Sequence, residues 1–123
     1  MQKFIIKSTD MYSEKTFEKV LGSKEIKNNY ILYKYESKLG KCEIIKTEDS
    51  INIRRFGESE TYLEIFLNKY SDFIYKTDLL NKVFKVYGTK IFYDKDKRTL
   101  NFSYKIFEDE ILLNEIEIFI REF

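Results

Sequence analysis

Residues 30–67 read YILYKYESKLGKCEIIKTEDSINIRRFGESETYLEIFL, and apolar and polar residues alternate along most of this stretch. Such alternation is typical of β-strands with one buried face. Three clusters of turn-forming residues interrupt it, at 37–40, 48–49 and 57–60. Four segments remain between the turns, at 30–36, 41–47, 50–56 and 61–67. The stretch therefore predicts four antiparallel strands joined by hairpins.

The same pattern continues on both sides of this stretch. Further strands are predicted at 4–7, 70–77, 99–107 and 111–121. Residues 82–94 fit either two strands or one long bent strand with a bulge at Gly88. Residues 9–28 are the least regular, and within them residues 13–21 fit either an amphipathic helical turn capped by Gly22 or a short polar strand.

Eight to ten short antiparallel strands with hairpin connections favour an up-and-down closed β-barrel. An open meander would expose its two edge strands, and closure of the ring removes both. A two-sheet sandwich is the competing fold, but its crossing connections need longer loops than this sequence contains. No linker, repeat or low-complexity segment divides the chain, so residues 1–123 are predicted to form one all-β domain.

Composition excludes several classes of function. The 22 Lys and Arg residues nearly balance 21 Asp and Glu residues, and this net charge of +1 argues against nucleic acid as the main ligand. The chain has no His, which excludes His general bases, His-containing triads and His metal sites. With no glycine-rich phosphate loop either, we expect no enzyme activity, no catalytic residue, no metal and no cofactor.

The single cysteine and the short apolar runs bear on location. Cys42 alternates with Ile44 and is expected to be a buried core thiol, and one cysteine cannot form an intrachain disulfide. No apolar run approaches the length of a signal peptide core or a membrane span. The sequence therefore predicts a cytoplasmic protein that does not bind membranes.

Short motifs within residues 30–123 resemble the YwiB-like bacterial proteins of unknown function. They are YKYE at 33–36, INIRRFG at 51–57, YKT at 75–77 and LNFSYKI at 100–106, followed by a last strand at 115–122. This chain departs from the expected pattern at Asp78 and Asn81, where Pro and Gly would follow the YKT motif. The resemblance implies a calycin-like, or lipocalin-like, β-barrel and supplies no reaction and no catalytic residues.

Arg55 is the most informative candidate for a binding residue. It shares a strand face with Ile51 and Ile53, so it points into the barrel near one mouth if that face is the interior. There the guanidinium could anchor the carboxylate or phosphate of a ligand. In the alternative interpretation, which we prefer, Arg55 pairs with a glutamate and stacks on a tyrosine to close the barrel end. In that case Arg55→Met would lower the melting temperature by tens of degrees.

Two functions follow as hypotheses. The first is binding of a small apolar or amphipathic molecule inside the barrel, with Arg55 at the mouth and Tyr35, Tyr75 and Tyr104 as lining residues. The second is a non-catalytic interaction module that acts as a homodimer, because strands such as 61–67 carry large apolar residues on both faces. For the tyrosines, the simpler interpretation is that they fill the barrel core.

Overall fold

A computed structural model describes residues 2–38 and 40–122, which form ten antiparallel strands in one closed barrel. Neighbours in sequence are neighbours in the ring, and β1 pairs with β10 to close it. The strands are β1 (Gln2–Asp10), β2 (Lys15–Ile26), β3 (Ile31–Ser37), β4 (Gly40–Lys46), β5 (Ser50–Phe56), β6 (Glu60–Phe66), β7 (Tyr70–Lys76), β8 (Asn81–Asp94), β9 (Thr99–Glu108) and β10 (Ile111–Glu122). The described part of the chain contains no helix of the length and apolarity needed to cross a membrane.

The predicted up-and-down closed barrel is confirmed, and the sandwich alternative is wrong. Residues 82–94 belong to one long strand, β8, whose register with β9 shifts between Gly88 and Lys90, as the bulge prediction requires. A second register shift, between Leu112 and Asn114 in β10, was not expected. Because of this shift, Leu112 does not share the inward face of β10 with Ile116, and its side chain is exposed.

The irregular region near the start of the chain is a strand, so the helical interpretation of residues 13–21 is wrong. β2 pairs with β1 over its first half, and Phe17 opposes Lys7 in that ladder. Of the three residues at helical spacing, Val20 is buried whereas Phe17 and Leu21 are exposed on the outside of the barrel. Gly22 does not cap a helix, because it lies where β2 comes against the backbone of Lys34 in β3.

The barrel interior is packed with aliphatic and aromatic side chains that alternate with outward residues along each strand. Large side chains at the centre, such as Tyr33, Phe4 and Phe102, are almost wholly inaccessible to water. The buried apolar core is made of Phe4, Ile6, Val20, Tyr33, Tyr35, Cys42, Ile44, Ile51, Ile53, Leu63, Ile65, Val86, Leu100, Phe102, Tyr104, Ile118 and Ile120.

The ring is closed, but it is not equally tight all around. We call the end that carries the β1–β2, β3–β4, β5–β6, β7–β8 and β9–β10 turns the upper end, and the opposite end the lower end. β2 pairs with β3 only in its second half, from Gly22 to Ile26, toward the lower end. The preceding residues of β2, 15–21, pair with β1 and have no described strand partner on their other side. We call this opening between β2 and β3 the seam.

Candidate functional site

Arg55 lies inside the upper end of the barrel, as the strand pattern predicts. It follows the buried residues Ile51 and Ile53 on the inward face of β5, and Cys42 of β4 lies directly opposite it in the ladder. The two-residue turn at Glu48 and Asp49 sets this register, because Thr47 and Ser50 hydrogen-bond across it. The hairpin thus fixes the Arg55–Cys42 pair by local geometry.

The immediate neighbours of the Arg55 guanidinium are a thiol and two phenols. Burial by itself lowers the pKa of Arg55, but its interactions with Cys42, Tyr35 and Tyr104 outweigh burial and raise that pKa. Arg55 therefore keeps its positive charge in a largely buried environment. Cys42 is buried, as predicted.

The expected ion pair of Arg55 is not formed. Among the described residues no carboxylate oxygen lies within 4.0 Å of its guanidinium, and no tyrosine ring stacks on it. The reason lies in the ladder, where the residues opposite Arg55 are Cys42 on β4 and Thr61 on β6, and neither is acidic. The preferred prediction of a glutamate partner is therefore wrong, and the alternative of a cation without a counter-ion stands.

The structure brings two of the three predicted tyrosines to Arg55. Burial raises the pKa of Tyr104 to about 12, an effect that the nearby Arg55 partly offsets. Burial also raises the pKa of Tyr35, and Cys42 and Glu18 add to the increase. Both phenols consequently keep their protons at neutral pH and can donate hydrogen bonds.

Tyr75 lies apart from this group. It faces Thr61 in the β6–β7 ladder, and Thr61 in turn faces Arg55, so Tyr75 lies on the opposite side of Arg55 from Cys42 and Tyr35. The described residues include no hydrogen bond or ring contact between Tyr75 and Arg55, Tyr35 or Tyr104. The site therefore consists of Arg55, Tyr35, Tyr104 and Cys42, which we call the Arg55 cluster.

A groove of about 880 Å³ runs along the seam and reaches this cluster from the side of the barrel. Its apolar lining includes Val20, Leu21, Tyr35 and Cys42. Its charged lining consists of three lysines and two glutamates, which are Lys19, Lys34, Lys41, Glu36 and Glu43. Because Tyr35 and Cys42 line the groove and also interact electrostatically with Arg55, an elongated molecule in the groove could place one end at the guanidinium.

Glu18 and Cys42 belong to this region but were not predicted as site residues. Glu18 lies opposite the inward residue Ile6 in the β1–β2 ladder, and its charge acts on the Tyr35 hydroxyl. The signal for Cys42 was present in the hairpin register, which places it across from Arg55. Glu18 had no such signal, because its strand was itself uncertain from the sequence.

The lower end holds a second polar group, in which a buried lysine and a buried glutamate form an ion pair. Lys24 Nζ lies 2.8 Å from Glu122 Oε2, and both side chains are more than nine-tenths buried. Lys24 also donates to the Tyr93 hydroxyl at 3.0 Å, and Gln2 Nε2 donates to Glu122 Oε1 at 2.8 Å. Burial by itself lowers the pKa of Lys24, but the bonds to Glu122 and Tyr93 outweigh this and raise it. This network closes the lower end.

No group of three or more potential Asp, Glu, Cys or His ligands is placed to hold a metal ion within the described residues. The polar chemistry available at the Arg55 cluster is therefore that of one guanidinium, two neutral phenols and a thiol. That set recognises anions by charge and by hydrogen bonds.

Comparison with known proteins supports the fold. No protein-family model and no curated protein matches the chain. Among solved structures it is similar to the crystal structure of the ywiB protein from Bacillus subtilis, with a TM-score of 0.73 and 19% sequence identity. The match covers 98% of this chain and 89% of the other. The resemblance to YwiB-like proteins is thus confirmed for the fold, which is all that a likeness at this identity shows.

Proposed function

We propose that this barrel binds a small amphipathic molecule whose anionic head, a carboxylate or a phosphate, sits at Arg55 and whose apolar part lies in the groove along the seam. The observation that carries the proposal is the charge on Arg55, which is largely buried and has no carboxylate partner within 4.0 Å among the described residues. A buried charge without a counter-ion costs free energy, and a bound anion would supply the missing partner.

The neighbours of Arg55 suit an anionic head. Tyr35 and Tyr104 both stay protonated at neutral pH, because the ordinary pKa of a phenol is about 10 and burial raises it further in both residues. A guanidinium offers several N–H donors and each phenol offers one O–H donor, so a carboxylate or phosphate could accept from all three. No group of the cluster would repel it.

The groove suits the rest of the molecule. Its volume of about 880 Å³ lies within the usual range for small-molecule sites. The barrel interior is filled by its own core residues, so the proposed site is at the seam and the mouth, outside the centre of the barrel. We place this role in the cytoplasm and assign it to a calycin-like binding protein without catalytic activity.

The test compares three ten-carbon probes of matched tail and different head, namely decanoate, decanol and decyltrimethylammonium. Isothermal titration calorimetry should detect binding of decanoate and much weaker binding of the other two. Arg55→Gln should reduce decanoate affinity about ten-fold or more, as expected for loss of a charge-assisted hydrogen bond. Arg54→Gln is the matched control, because Arg54 is the exposed neighbour on the outside of the same strand.

Equal binding of all three probes, or equal loss in both arginine variants, would show that Arg55 does not recognise the head group. A failure of decanoate with clear binding of decyl phosphate would identify phosphate as the preferred head.

A homodimeric interaction module is the second candidate, favoured by one cluster of outward aromatics. Tyr70 is 64% exposed, and its ring centroid lies 4.9 Å from that of Tyr87 and 5.8 Å from that of Phe107. Aromatic clusters of this kind are enriched in interfaces. Sedimentation equilibrium at increasing concentration should show a dimer that Tyr70→Glu dissociates, whereas a monomer throughout would exclude this candidate.

A further inference from the structure

A row of aromatic and cationic side chains crosses the outside of the barrel on the wall formed by β2, β1, β10, β9 and β8. The ladders align five outward residues in this row: Phe17, Lys7, Phe119, Asn101 and Phe92. Phe17 and Phe92 are 55% and 58% exposed, and Lys7 Nζ lies 6.0 Å from the Phe17 ring centroid and 5.9 Å from that of Phe119. We call these five residues the outer row.

The rows on either side of the outer row are predominantly basic. They contribute four cations, Lys15, Lys19, Lys90 and Arg121, and two acids, Glu117 and Asp94. Glu117 pairs with Lys90, and Asp94 accepts hydrogen bonds from the backbone amides of Asp96 and Lys97. Together with Lys7, these rows carry a net charge of +3, whereas the chain as a whole carries a charge of only +1.

We propose that the outer row and its flanking cations bind single-stranded nucleic acid. The near-balanced charge that led us to expect no nucleic acid is an average over the whole chain, whereas a polyanion meets the local charge of one wall. Rings on the outside of a β-barrel, flanked by Lys and Arg, combine the two elements of sequence-tolerant single-strand binding: base stacking and backbone neutralisation. The proposal is independent of the ligand at Arg55, which points inward.

The spacing of the rings favours this partner over other anionic surfaces. Phe17, Phe119 and Phe92 stand on alternate strands, which places neighbouring rings about 10 Å apart along a curved line around the barrel wall. A single strand with unstacked bases can follow such a line and stack on each ring in turn. An acidic peptide would use the cations but not the aligned rings.

The test measures fluorescence anisotropy of fluorescein-labelled oligothymidylate and oligouridylate of about 12 nucleotides, over a series of sodium chloride concentrations. We expect binding that weakens with salt. Phe17→Ala and Phe92→Ala should each lower the affinity about five-fold or more, the effect of losing one stacked base. Lys7→Gln should reduce the slope of log affinity against log salt by about 0.7, the value for one phosphate contact.

Two control variants on β5, which lies opposite β10 in the ring, accompany these measurements. Phe56→Ala removes an aromatic ring that is 37% exposed, and Arg54→Gln removes an exposed charge. Both should bind as the unmodified protein does. Thermal melts of all variants should agree, because the substituted side chains are exposed or partly exposed.

Three results would overturn the proposal: no anisotropy change at low salt, equal losses in the control variants, or losses in Lys7→Gln without any in the two phenylalanine variants. The last result would mean that the wall attracts anions by charge alone. Binding to phosphatidylglycerol vesicles in the absence of oligonucleotide binding would also overturn it and assign the wall to a lipid surface.

Discussion

Arg55 carries its charge among neutral groups, and this determines how the fold responds to its removal. Arg55→Met leaves no carboxylate unpaired among the described residues, and methionine keeps much of the apolar stem of arginine. In the ligand-free protein we therefore expect a melting temperature within about 5 °C of the unmodified protein, or above it. Circular dichroism melts would measure this, with the exposed Arg54→Met as control.

A hidden ion pair would give the opposite result. Removing one partner of a buried pair costs about 3–5 kcal/mol. A decrease of more than about 10 °C in Arg55→Met alone would therefore show that Arg55 is a structural residue. The sequence predicted the residues around Arg55 only in part. Strand alternation shows that Arg55 points inward, but whether an acid meets it depends on which side chains the ring places across from it.

At the scale of the strands, β2 shows why the sequence prediction was least definite near the start of the chain. Its inward positions include Glu18, Gly22 and Lys24, which face the seam and the lower ion pair, so apolar residues do not recur at every second position. Strands β3 to β6 have mostly apolar inward residues, Arg55 and Thr61 being exceptions near the upper end, and their alternation is clear. The polar inward residues of β2 thus weaken the alternation by which a strand is recognised.

Gly22 gives a test of the seam at this scale. A Cβ at Gly22 would collide with the carbonyl oxygen of Lys34 and lie 2.9 Å from the Cβ of Tyr35. Because this oxygen belongs to the backbone, the clash can be avoided only if β2 and β3 move apart. We therefore expect Gly22→Ala to lower the free energy of unfolding by about 2–3 kcal/mol. Urea denaturation would measure this, with Ser23→Ala, the exposed next residue, as control. Equal stability of the two variants would contradict the close approach.

At the scale of the whole molecule, buried phenols make stability depend on alkaline pH. The pKa of Tyr104 is about 12 in the folded protein against an ordinary value of 10.0. Below pH 10 the Tyr104 hydroxyl is protonated in both the folded and the unfolded protein, and stability does not change with pH on account of this group. As pH rises from 10 to 12 the unfolded chain loses the proton first, so the free energy of unfolding falls by up to about 1.4 kcal/mol per pH unit for this one group.

Tyr33 and Tyr35 act in the same direction, because burial raises the pKa of each. Urea denaturation between pH 8 and about pH 11 should therefore show a plateau followed by a steep decline. Tyr104→Phe should reduce the slope of the free energy of unfolding against pH by the contribution of about one proton. Tyr70→Phe, which removes a hydroxyl on the exposed side, should leave that slope unchanged. An unchanged slope in Tyr104→Phe would show that this phenol reaches water in the folded protein.

The pairing of β1 with β10 sets the order in which the molecule can be completed. Phe4 lies opposite Glu122 in that ladder, so the contact that closes the ring joins strands from the two ends of the sequence. While a ribosome is still extending the chain, β1 and β9 each lack the neighbour that β10 will supply. Both are then open to pairing with other chains. Synthesis of β10 is therefore the event that ends this exposure, and a nascent protein stalled before it is the form that chaperones would need to protect.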